Sequence, residues 1–112
     1  MSQNTTNVVN LTSESFPRET ARGLAIVDFW ASWCPPCRVL APTIEELASD
    51  LAGSALVAKV DVDAAPELAG RFEVQSIPTV LFLKDGKEVG RSVGAVPKAV
   101  LLQKLDSLRD AA

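Results

Sequence analysis

Cys34 and Cys37 are the only two cysteines of the chain, and they stand three residues apart in Trp33-Cys34-Pro35-Pro36-Cys37. Thiols at that spacing can close into a disulfide across one helical turn, so the pair can take up and release electrons reversibly. The stretch just before them, Leu24-Ala25-Ile26-Val27-Asp28-Phe29-Trp30, is nearly continuous apolar sequence. A strand of that kind would deliver the pair to the edge of a sheet, with Cys34 at the N-terminus of the following helix. Unpaired amides and the helix dipole stabilise an anion there. Such sites lower a cysteine pKa from about 8.5 to roughly 3.5–7.5, and the thiolate is the reactive form. The pattern points to dithiol–disulfide chemistry.

Three other uses of the pair are weaker. A structural zinc site takes four ligands, mostly Cys and His, and this chain has two Cys and no His. A purely structural disulfide across so short a loop constrains the unfolded chain little. Two inert buried thiols conflict with Pro35-Pro36, which mark an exposed turn and a helix start.

The elements that must position the cysteines follow from periodicity. Residues 1–7 are polar and read as a disordered tail, and residues 8–112 as a single domain, long enough to bury its own core. Val8-Val9-Asn10-Leu11 has the composition of a short edge strand, and Thr12 to Arg22 that of a helix with Gly23 as its stop. Leu24 to Trp30 reads as a strand covered on both faces. From Pro35 to Leu51 the period becomes helical, with Leu40, Ile44, Leu47, Ala48 and Leu51 on one face and Pro42 as an interruption. Ala55 to Val62 is a second buried strand, and Pro66 opens a short helix. Thr79 to Leu83 and Val89 to Val93 flank an Asp85-Gly86 hairpin signal. Pro97 to Asp110 closes the chain as a helix with Leu101, Leu105 and Leu108 buried. The order βαβαβαββα gives an α/β fold: a central mixed sheet flanked by helices, its parallel core closed by an antiparallel hairpin at the edge.

Composition excludes some partners. A net charge of −3 argues against nonspecific nucleic-acid binding, which needs a basic face. The first residues lack the basic and apolar regions of a signal peptide, and no apolar run approaches the ~20 residues that cross a membrane. A cytoplasmic location is expected, and in a reducing compartment a CxxC pair is more often catalytic than structural.

Taken in order and spacing, several segments resemble the thioredoxin family over residues 8–110. They are Val27-Asp28-Phe29-Trp30-Ala31-Ser32-Trp33-Cys34-Pro35-Pro36-Cys37, Pro42, Lys59 with Asp61 and Asp63, Ser76-Ile77-Pro78-Thr79, Asp85-Gly86 and Val93-Gly94-Ala95. The resemblance implies the thioredoxin fold and a small protein-disulfide reductase, acting on disulfide-containing proteins and recharged by a thioredoxin reductase. NADPH would enter only through that reductase, with no cofactor or metal bound, and a monomer is expected. Cys34 would be the attacking thiol and Cys37 the resolving one, with Asp28 a buried carboxylate beneath Cys37 and Lys59 its neighbour. Pro78 would be a cis-proline facing the disulfide, and Trp33, Ile77, Gly94 and Ala95 would line the substrate surface. The chain departs from the usual motif at Pro35, where the family has Gly, and the redox poise is tuned by the residues between the cysteines.

Elementary chemistry adds to these roles. With prolines at the first two helical positions, Pro35 and Pro36, the first amide available to a Cys34 thiolate is that of Cys37. Cys34 is then expected partly exposed and Cys37 more buried. With no His available as a base, Asp28 is the natural acceptor of the Cys37 proton; burial would raise its pKa into a useful range. The alternative for Asp28 is a solvent-facing place on an edge strand. Lys59 either modulates the Asp28 carboxylate or snorkels from its strand. Trp33, on the turn, is expected to shield the disulfide, and Trp30 to be core. Two rival functions remain: a thiol oxidase or isomerase on the same fold, kept open by Pro35, and a thiol-independent binding module.

Overall fold

A computed structural model describes residues 7–109 of the chain. The tail expected over residues 1–7 thus lies, Asn7 aside, outside the described residues, as do the last three residues of the expected domain. The described residues form five strands and four helices: β1 (Val9–Leu11), α1 (Phe16–Thr20), β2 (Leu24–Trp30), α2 (Pro35–Asp50), β3 (Leu56–Asp61), α3 (Pro66–Arg71), β4 (Thr79–Lys84), β5 (Lys87–Val93) and α4 (Lys98–Arg109).

The strands form one sheet in the order β1-β3-β2-β4-β5. β1, β3 and β2 run parallel, with Asp28 opposite Lys59 across the β2–β3 pair. β4 runs antiparallel to β2 in the middle of the sheet, and β5 antiparallel to β4 at its edge. The antiparallel part is therefore not confined to an edge hairpin, as the sequence suggested. The apolar run of β4 reports burial on both faces and carries no information about direction.

Alternation along each strand divides the interior into two layers. On one face, Ile26, Val57, Val80 and Phe82 meet Leu40, Ile44, Leu47 and Ala48 of α2 and Leu101 and Leu105 of α4. On the other, Ala25, Val27, Phe29, Val60 and Leu81 meet Phe16 of α1 and Leu68 of α3. The β4–β5 turn places Asp85 at φ 51° and Gly86 at φ 85°. Two successive residues in the left-handed region make the primed turn whose twist suits a hairpin, which is why Asp-Gly signals it.

The first helix is shorter than its sequence suggests. Thr12 N–H donates to Ser15 Oγ at 2.9 Å, and Ser15 N–H to Thr12 Oγ1 at 3.1 Å. These local side-chain bonds satisfy the backbone without a helix, so α1 begins only at Phe16. By contrast α2 runs as one helix from Pro35 through Pro42 to Asp50, held by its buried stripe.

Candidate redox site

The turn after β2 puts Cys34 at the N-cap of α2 in an extended conformation, φ −101° and ψ 106°. Its sulfur is bonded to that of Cys37, with the two Cα atoms 5.3 Å apart. Pro35 and Pro36 occupy the opening helical positions, both exposed, and bring no N–H. The Cys37 amide accordingly points at Cys34 Sγ from 3.2 Å, and Arg38 N–H donates to the Cys34 carbonyl at 3.2 Å. Opposing this donor, the Ile77 carbonyl oxygen lies 3.8 Å from Cys34 Sγ.

Cys34 is 3% exposed and Cys37 2%. The expected contrast in exposure is therefore absent in the disulfide form. Ala31, Trp30, Val62 and Ile77 cover the sulfurs. The two tryptophans also differ from expectation. Trp30 is half-buried and packs on the disulfide cluster, whereas Trp33 is 63% exposed. The indole N–H of Trp33 donates to Asp63 Oδ2 at 2.7 Å, which ties the ring to the β3–α3 turn instead of over the sulfurs. Asp63 is itself set by its backbone N–H, which donates to Asp61 Oδ1 at 2.9 Å.

The Ile77–Pro78 peptide bond is cis. Pro78 is buried and Ile77 half-buried beside the cysteines. Gly94 N–H donates to the Pro78 carbonyl at 2.8 Å, which ties Gly94, with the exposed Ala95 after it, to the Ile77–Pro78 segment. Gly94 has φ +96°, a conformation side chains rarely adopt.

Asp28 is 1% exposed, which excludes the solvent-facing alternative. It shares a sheet face with Ile26 and with Trp30, the residue that touches the disulfide cluster. Its Oδ1 has no hydrogen-bond partner among the described residues. Burial raises its pKa from 3.8 to about 7, and the Lys59 charge pulls it back down. Lys59 is half-buried, directly across the strand pair from Asp28. Its ammonium lies 4.3 Å from the centroid of the Trp30 ring, and it lines a cavity of about 70 Å³ with Val8, Asn10, Ala41, Ile44 and Glu45. The lysine thus lies over an aromatic face, and its charge acts on the Asp28 carboxylate from across the strand pair.

Sequence reasoning gave no role to Arg38, whose guanidinium donates from Nη1 to the Ser32 carbonyl at 2.8 Å and pins the turn before Cys34. No residue spacing announces a contact of that kind. Val62 as a cover for the sulfurs was equally unmarked, since it reads as an ordinary strand residue. Among the described residues no group of three or more His, Cys, Asp or Glu gathers as a metal site, and no helix is long and apolar enough to cross a membrane.

Comparison with known proteins agrees with this geometry. The thioredoxin family model matches residues 7–107. The chain is 48% identical over 97 residues to thioredoxin 2 of Chlorobaculum tepidum, covering 85% of this chain and 89% of that one. It is 46% identical over 99 residues to the thioredoxins of Staphylococcus haemolyticus and Staphylococcus aureus, covering 88% of this chain and 95% of theirs. With its Cys34–Cys37 disulfide at the head of α2 and a five-stranded mixed sheet behind it, the chain belongs to the thioredoxin family.

Proposed function

We propose that the protein reduces disulfides of other proteins by an asymmetric exchange in which Cys34 attacks and Cys37 resolves. The observation that carries this assignment is the Cys37 amide aimed at Cys34 Sγ from 3.2 Å. In the reduced protein the same amide and the dipole behind it favour a thiolate on Cys34. That thiolate attacks one sulfur of the target disulfide; the S–S bond breaks, the other target sulfur leaves as a thiolate, and Cys34 carries a mixed disulfide. Cys37 then gives up its proton and attacks Cys34 Sγ, forming the Cys34–Cys37 bond and expelling the second target sulfur. The target gains two electrons and takes up two protons, and the protein is left oxidised.

Asp28 is the acceptor for the Cys37 proton. Its burial and a pKa of about 7 support this, because a base is most useful when its pKa is near the working pH. Lys59 modulates that value by stabilising the carboxylate form. Trp33, Ile77, Pro78, Gly94 and Ala95 form the rim on which the target chain rests, and Pro35 and Pro36 tune the redox poise by withholding amides. A thioredoxin reductase using NADPH returns the two electrons. The protein works as a monomer in the cytoplasm, without a bound cofactor.

The test uses the two cysteines separately. Cys34→Ser should be inactive, and Cys37→Ser should accumulate a mixed disulfide with a protein substrate. In the reduced protein, iodoacetamide at neutral pH should label Cys34 first; preferential labelling of Cys37 reverses the assignment. A reduction potential near −270 mV marks a reductant, and one toward −120 mV marks the oxidase alternative.

A further inference from the structure

The segment joining α3 to β4, residues 72–78, has no regular structure of its own, yet it carries Ile77 and Pro78 to the disulfide. Its two ends are held from β5 and the residue just beyond it, and the near end also from α3, where the Phe72, Glu73 and Val74 N–H groups donate to the Leu68, Gly70 and Ala69 carbonyls at 3.1, 3.1 and 2.8 Å. At the far end Gly94 N–H, just beyond β5, donates to the Pro78 carbonyl at 2.8 Å. At the near end Arg91 of β5 donates from Nη2 to the Phe72 carbonyl at 2.8 Å. The guanidinium is held in place by Glu88 on the same strand, Nε to Oε2 at 2.6 Å and Nη2 to Oε1 at 2.9 Å. This two-point fork fixes the orientation of the donor as well as its position.

The Phe72 ring is independently immobilised, 5.4 Å from Phe16 and 6.2 Å from Phe29, under the Arg71 guanidinium. Glu73, the next residue, sits at φ 54°, where the chain turns sharply out of α3. The direction in which the segment leaves this turn decides where the Ile77 carbonyl arrives, 3.8 Å from Cys34 Sγ. Ser76 is tied only locally, its carbonyl accepting from Thr79 Oγ1 at 2.6 Å. We propose that Arg91 is a positioning residue for disulfide exchange: with Glu88 it holds the Phe72 carbonyl and so sets the rim formed by Ile77 and Pro78 against Cys34. This rests on the reading of Ile77 and Pro78 as part of the surface that receives the target chain.

The ion pair itself is about one-third exposed, with 33% of the Arg91 and 28% of the Glu88 side chain accessible. A bidentate pair that is largely buried also supports global stability, so a denaturant melt of each variant is used to separate a positional effect from unfolding. The distinguishing readout is the choice of substrate. A protein disulfide must lie along the rim, whereas a small aromatic disulfide such as 5,5′-dithiobis(2-nitrobenzoate) needs mainly the thiolate.

The experiment compares Arg91→Met, Arg91→Lys and Ile77→Ala with the parent protein, using insulin and that small disulfide as substrates. Arg91→Met should raise KM for insulin about 3- to 10-fold with kcat nearly constant, as expected for a rim displaced by a fraction of the ~1 Å that can cost 100-fold. The loss on insulin should exceed the loss on the small disulfide at least threefold, by the same reasoning. Arg91→Lys, which keeps the charge and one donor, should recover part of the difference. Equal losses on both substrates, or an Arg91→Met KM equal to the parent's while Ile77→Ala raises it, overturns the role of Arg91 alone. An Ile77→Ala variant with the parent's KM for insulin overturns the rim reading, and this inference with it. Should Arg91→Met fold poorly, Glu88→Gln removes the fork and must show the same preference, to a smaller degree.

Discussion

Asp28 and Phe29 are neighbours in β2, yet they belong to opposite sides of the sheet and to different kinds of interior. Phe29 enters a layer built from aliphatic and aromatic groups, its ring edge-on to Phe72, which in turn meets Phe16 at a tilt. Asp28 enters the layer under α2, where its Oδ1 is left without a partner among the described residues and Lys59 lines a small cavity nearby. Both layers stabilise the fold, and the second additionally takes in a buried titratable group. A single strand feeds both layers because successive side chains point to opposite faces.

Removing the aromatic member gives the largest effect. Phe29→Ala should cost about 3–5 kcal/mol, the usual loss for a buried phenylalanine, measured by denaturant unfolding of the oxidised protein. The redox chemistry should hardly notice: the reduction potential should stay within about 10 mV, equivalent to ~0.5 kcal/mol. A large shift in potential breaks the division between the two layers.

Asp28→Asn should act in the reverse sense. The rise from 3.8 to about 7 corresponds to at most roughly 4 kcal/mol of penalty on the ionised form. Local relaxation reduces this, and a gain of about 1–3 kcal/mol at neutral pH is expected. The sign with pH follows from proton uptake. Between 3.8 and about 7 the native protein keeps a proton that the unfolded chain has released, so wild-type stability falls as pH rises through that interval. The advantage of the Asn variant should accordingly be absent below about pH 4 and fully developed above about pH 7. Resolution of the mixed disulfide should slow, by up to ~10²–10⁴-fold if no water substitutes for the base. Denaturant melts across pH and stopped-flow rates together decide the matter; a less stable variant, or one resolving at the wild-type rate, removes Asp28 from the mechanism.

The smallest expected effect lies at the head of α2. An N-cap side chain accepts from the second or third helical amide, and here only the third, that of Cys37, reaches Cys34 Sγ. Pro36→Ala restores the second amide and should stabilise the reduced, thiolate form. The potential should then rise by about 30 mV, or ~1.4 kcal/mol. Pro35→Gly restores only the first amide, which does not point at the cap, and should shift the potential less. If the Pro35 variant moves further than the Pro36 variant, chain stiffness outweighs hydrogen bonding in setting the poise.

Much of this architecture was legible in the residues. The β2 and β4 apolar runs, the α2 stripe and the Asp85-Gly86 turn each carry a period or a backbone requirement that maps onto one local structure. The cysteine pair and its two prolines fixed the capping geometry for the same reason. What was not legible depends on encounters between distant segments. The direction of β4 is decided by how α3 and residues 72–78 cross the end of the sheet, and an apolar run is the same read either way. Trp30, and not Trp33, packs on the disulfide cluster because Asp63, thirty residues on, captures the exposed Trp33 indole. Arg91 looks like any charged residue of an outer strand until Phe72 is folded beneath it.

The register shift in the β4–β5 pair has a consequence for solubility. Phe82 pairs with Gly90 and Leu83 with Glu88, so Val89 has no counterpart on β4 and the outermost strand is bent at that point. The same strand carries Lys87, Glu88 and Arg91, and the opposite border of the sheet, β1, is only three residues long. A straight row of free amides and carbonyls would be a template for another chain; a bent, charged border and a very short one are poor templates. Neither border of the sheet thus offers the exposed strand of another chain much on which to polymerise.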